Sequence, residues 1–144
     1  MIEQDTVKLL RECDAGVKMG VKSIEDVLEY VKSDDFKTRL EACKQEHQKL
    51  EQEIREELSR FQDGGKDPST IAKSMSHMKT GMKLAMDMSD ETIADLMTDG
   101  CNMGVKSLNR YLNQYKAADE FSKDIAKRLI HLEEQLAIDI RTYL

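Results

Sequence analysis

The sequence predicts an all-α fold: an antiparallel four-helix bundle made of two helix hairpins joined by a short helical crossover. Three observations predict it. Apolar residues recur every three or four positions over long stretches, the period of an amphipathic helix. Charged residues are 35% of the 144 positions and aromatics 5%, with one Pro, which suits long helices and fits strands poorly. And the pentapeptide MGVKS occurs twice, at Met19–Ser23 and Met103–Ser107, 84 residues apart.

The first helix follows from Val7, Leu10, Asp14, Val17, Val21, Ile24, Leu28 and Val31, a bundle seam with one acid in it. The pattern breaks at Ser33-Asp34-Asp35, which are strong N-cap residues for a second helix. That helix carries Phe36, Leu40, Cys43, His47, Leu50, Ile54, Leu58 and Phe61 on its seam and stops at Asp63-Gly64-Gly65. A short link between two long helices makes them antiparallel neighbours, so residues 5–62 form the first hairpin. Asp67-Pro68 then opens a shorter crossover helix over 66–88, on which Met75, Met78, Met82 and Met86 recur at helical spacing. The second hairpin occupies 89–144. Its seams are Ala94, Cys101, Val105, Leu108, Leu112 and Tyr115, then Ile125, Leu129, Leu132, Leu136, Ile140 and Tyr143, with the bend at 117–119.

The two hairpins read as copies of one unit. At an offset of 84, Gly16 meets Gly100, Gly20 meets Gly104, Leu28 meets Leu112, His47 meets His131 and Ile54 meets Ile138. Asp5 and Ser89 also coincide, each placed as an N-cap ahead of a helical pattern. The glycines inside these helices each cost about 1 kcal/mol relative to Ala. Close helix–helix approach, where a side chain would not fit, is the expected compensation. A ligand or a distorted backbone at the same place is the functional alternative.

Composition removes several function classes. The net charge of −6 gives no concentrated basic surface for nucleic acid. No uncharged run approaches the length of a membrane span, and the opening MIEQDTVKLLREC is not patterned as a secretory signal. Cys13, Cys43 and Cys101 lack C-x-x-C spacing and read as reduced thiols of a cytoplasmic protein. No glycine-rich loop follows a strand, so no nucleotide cradle is expected.

The GVKMGVKSIEDVL and GCNMGVKSLNRYL segments, the C-x-x-E-H of Cys43 to His47 and the SDETIADL start of the third long helix carry a resemblance to the ferritin-like superfamily. The likeness is to its small bacterial members of unassigned function, and it spans nearly the whole chain. It implies the bundle with one long crossover. In the metal-binding members, two helices each supply a Glu and two others each supply a Glu-x-x-His, which together hold two irons. Here Lys44 precedes His47 at i−3 and Arg128 precedes His131, while Asp14 and Thr98 hold the seam positions of the Glu-donating helices. The di-iron motif is therefore absent, and the oxidase and iron-storage chemistry it supports is not expected.

A reduced site is conceivable from His47, Glu51, Asp14 and Cys43, which could hold one divalent ion. The structural alternative is a buried His47 hydrogen-bonded to Asp14 or Glu51, setting helix register. Cys43 and His47, one turn apart, are also a candidate thiolate pair. The methionine stripe with His77 could take Cu(I), could pack on the bundle, or could bind a protein partner. The function expected is that of a non-catalytic bundle protein, cytoplasmic and without cofactor, acting by homo-oligomerisation or partner binding through Met75, Met78, Met82 and Met86. The alternative is a divergent metal-binding protein that uses His47 with nearby acids.

Overall fold

The computed structural model describes residues 2–68 and 89–144. Within them the chain forms α1 (Ile2–Leu28), α2 (Asp34–Ser59), α3 (Asp90–Gln114) and α4 (Glu120–Asp139), then a 3-10 turn at Arg141–Tyr143. No strand occurs among the described residues, and none of their helices is long and apolar enough to cross a membrane. The all-α reading holds.

The starts of α2, α3 and α4 are set by local chemistry. Ser33, Ser89 and Asp119 each hold an extended backbone, and their side chains accept from the N–H groups of Phe36, Thr92 and Ser122. Asp5 behaves otherwise. It lies inside the first turn of α1, and its carboxylate accepts from the Ala117 N–H at 3.0 Å. The residue expected to cap its own helix instead ties down the bend between α3 and α4. The stop of α2 also differs in detail. Gln62 takes the left-handed conformation (φ 55°), with Gln62 N–H donating to Ser59 O and Asp63 N–H to Leu58 O. This is a Schellman-type ending with a non-glycine residue at its turning point. Gly65, at φ 89°, makes the next turn.

Contacts between the ends give the helix directions. The Asp90 carboxylate accepts from the N–H groups of Lys32 and Ser33, so α3 starts where α1 finishes. The Asp119 N–H donates to Thr6 Oγ1 at 2.8 Å, so α4 starts where α1 starts. Arg11 pairs with Asp63, and the Lys66 N–H donates to Asp14. The chain leaving α2 thus climbs the flank of α1 a turn at a time. The link between α2 and α3 therefore begins at one end of the bundle and delivers the chain to the other. Lys66–Pro68 have no regular secondary structure. The rest of the expected crossover helix, with Met75, His77, Met78, Met82 and Met86, lies outside the described residues.

Helix α1 packs on all three others, and α4 does the same. The buried seams are close to those the periodicity predicts. Leu10, Val17, Ile24, Phe36, Leu40, Leu50, Ile54, Leu108, Ile125, Leu129 and Ile140 are all core residues. They form two apolar clusters. One contains Leu9, Val17, Leu50, Leu108 and Leu129, and the other contains Ile24, Leu40, Ile93, Cys101 and Leu136. At the second cluster's end, Tyr143 stacks on Phe36 with ring centroids 4.4 Å apart. Between the clusters lies a waist that holds His47 and Glu133, two of the buried polar residues.

Candidate functional site

Four helices bring one residue each to the waist: Gly20 from α1, His47 from α2, Gly104 from α3 and Glu133 from α4. His47 is 1% exposed and Glu133 is 9%. His47 Nδ1–H donates to the Cys43 carbonyl oxygen at 2.9 Å, one helical turn back. His47 Nε2 lies 2.9 Å from Glu133 Oε1. A carbonyl can only accept, so the first contact keeps a proton on Nδ1. The carboxylate favours a second on Nε2, which makes the ring an imidazolium. Burial opposes that charge, but the Cys43 side chain and the Glu133 carboxylate outweigh it and hold the imidazole up at about 10.

Two glycines approach the pair closely. A Cβ added to Gly20 would fall 2.7 Å from His47 Cδ2 and 2.8 Å from Nε2, closer than carbon atoms pack. One added to Gly104 would meet Glu133 Cδ at 3.5 Å. The Cys101 thiol is buried, and burial together with the Glu133 carboxylate pushes it well above the ordinary thiol range. Burial likewise pushes Cys13 up to about 12, with Glu12 and Asp14 adding to the effect. Both thiols are therefore protonated and unreactive at neutral pH.

Of the residues singled out from sequence, only Cys43 and His47 meet, with Sγ 3.5 Å from Nδ1. Asp14 is buried and faces elsewhere. It takes a 2.7 Å hydrogen bond from Lys18 Nζ and a 2.9 Å bond from the Lys66 N–H, and it packs against the bare α-carbon of Gly65. It anchors the connection after α2. Glu51 lies on the outward side of α2, paired with Arg55 at 3.0 Å beside a shallow polar depression lined with Gln48 and Gln52. The hydrogen-bond partner of His47 is thus neither acid that the sequence suggested. Among the described residues, no group of three or more His, Cys, Asp or Glu is arranged to hold a metal ion.

Glu133 carried a signal that the single offset of 84 obscured. It lies four residues after Leu129 and three before Leu136, on the seam itself. At that offset its counterpart is the exposed Lys49, and His47 is matched with the exposed His131. The buried positions of α2 and α4 instead correspond at 86: Leu50 with Leu136, Ile54 with Ile140 and His47 with Glu133. Ile138, the expected counterpart of Ile54, is 47% exposed.

The close-packing account of the glycines is also refined. Gly20 needs its lack of a side chain. Gly16 leaves ordinary van der Waals room at 3.6 Å from Leu129, and Gly100 faces nothing within 4 Å among the described residues. No known family model matches this chain, and no curated protein or solved structure matches it either.

Proposed function

We propose that this chain is a non-catalytic helical-bundle protein of the ferritin-like type whose centre is filled by an ion pair and which acts through assembly or partner binding. One observation carries the first part. The two ring nitrogens of His47 and the facing oxygen of Glu133 are spent on internal hydrogen bonds in a waist flanked by Gly20, Gly104 and two apolar clusters. Such a site offers a substrate or ion no free lone pair on the ring. The ferritin-like assignment draws on the connection that returns the chain across the bundle between two antiparallel hairpins. The binding role draws on Met103 and Phe121, which stand exposed on α3 and α4, and on the Met75, Met78, Met82 and Met86 stripe of the sequence.

Elemental analysis of untagged protein purified anaerobically tests this reading, followed by titration with Fe(II), Mn(II), Zn(II) and Cu(I). Protein that carries no stoichiometric metal and takes up none is the expected result. About one or two equivalents, lost in His47→Leu, would replace this reading with that of a metal protein built on His47.

A further inference from the structure

The two apolar clusters exchange with one another under the offsets that relate the helices. Leu9, Leu10, Cys13 and Val17 belong to one cluster, and their counterparts 84 residues on, Ile93, Ala94, Met97 and Cys101, belong to the other. Leu50 and Ile54 likewise correspond, 86 residues on, to Leu136 and Ile140 across the waist. In the opposite sense, Ile24 and Leu40 correspond to Leu108 and Ala126. This is the relation of an approximate twofold axis that passes through the waist and swaps the hairpins. Residues at the ends therefore never face their own counterparts. Those at the axis do: Gly20 and Gly104 flank it, and His47 and Glu133 touch across it at 2.9 Å.

A twofold interface between like hairpins would place identical residues at that axis. Two copies of the first hairpin would bury His47 against His47, and two copies of the second would bury Glu133 against Glu133. Each arrangement puts like charges, or unmatched polar groups, in a largely buried space where hydration is poor. We propose that the His47–Glu133 pair is a pairing code, which makes each hairpin accept the unlike hairpin and reject a like one, whether in its own chain or in a second copy. Polar groups at a single buried layer are a recognised means of setting partner and register, at a cost that apolar residues would avoid.

The equivalence of the two positions makes a demand that an ordinary ion pair does not. The charges should be exchangeable. In Glu133→His the new ring has the Leu129 carbonyl one turn back, as His47 has that of Cys43. We therefore compare His47→Glu, Glu133→His and the double exchange by thermal unfolding of the full chain. Each single variant should lose about 10 °C or more in Tm, or fail to fold, and the double exchange should recover at least half of the loss. A double variant that recovers less, or does not fold, overturns the proposal, as do single variants that match the wild type. Rejection of like hairpins is read separately with His47→Gln/Glu133→Gln, refolded from urea across a range of concentrations under light scattering. It should form concentration-dependent oligomers that neither the wild type nor the double exchange forms. Refolding to the same species as the wild type overturns the code.

Discussion

Gly20→Ala adds a single methyl group, and the structure decides its sign. In an exposed helix the change would stabilise by about 1 kcal/mol. Here the new Cβ would lie 2.7 Å from His47 Cδ2 and 2.8 Å from Nε2. The ring is not a flexible chain end. Its Nδ1–H is held by the Cys43 carbonyl and its Nε2 by Glu133, both at 2.9 Å, and α1 and α2 close the space around it. Overpacking of this kind costs about 1–3 kcal/mol when the neighbours give way. If the ring gives way by leaving Glu133, the cost approaches the 3–5 kcal/mol or so of a broken buried pair. Against the propensity gain of about 1 kcal/mol, the net loss is up to about 2 kcal/mol in the first case and about 2–4 kcal/mol, or roughly 5–15 °C in Tm, in the second, which is the one expected because both ring nitrogens are held. Urea denaturation followed by helical circular dichroism measures it, with Gly16→Ala as the internal reference. At Gly16 the added carbon meets only Leu129 at 3.6 Å, so that variant should equal the wild type or gain up to about 1 kcal/mol. A Gly20→Ala protein with an unchanged or higher urea midpoint would refute the argument that the waist is closed around the ion pair.

Two further outcomes follow from the same geometry. His47→Leu strands Glu133 as a buried, unpaired acid and should lose about 3–5 kcal/mol, whereas His47→Leu/Glu133→Leu should return to the wild-type urea midpoint or above it; equal losses in both would show that the pair has no special cost. The imidazole is raised from 6.5 to about 10, so its contribution is whole below pH 6.5 and is lost as pH rises towards 10. Between pH 6.5 and 7.5, below the range in which the thiols of the unfolded chain ionise, the wild type should lose about 1 kcal/mol while the double leucine variant stays flat; a flat wild-type profile would mean that the ring is neutral in the fold.

Much of this architecture is written locally. The three capping residues Ser33, Ser89 and Asp119 start helices through hydrogen bonds that span three residues, and the seam of α2 is buried nearly as its spacing demands. Such features depend on neighbours in sequence, which is why they are legible there. Asp5 and Gln62 show the limit even of local reading. Asp5 had a distant N–H to bind instead of its own helix, and the turn after α2 formed without a glycine at its left-handed position.

The candidate site was legible only in half. His47 stood out as a polar residue on an apolar seam, and the neighbourhood of Cys43 followed from one turn of helix. The partner did not. Whether His47 meets Asp14, Glu51 or Glu133 depends on how far α4 is rotated and how closely α1 approaches it, and those are set by packing among four helices at once. A repeat read at one offset paired Glu133 with the exposed Lys49. Two residues of shift in the last helix put it at the axis, with Gly20 leaving the room that the pair requires. By itself the sequence determined the elements, their caps and the faces they bury, because those are short-range consequences of periodicity and hydrogen bonding. Which buried charge faces which was decided only by the tertiary structure, because that depends on distances between helices that no spacing along the chain encodes.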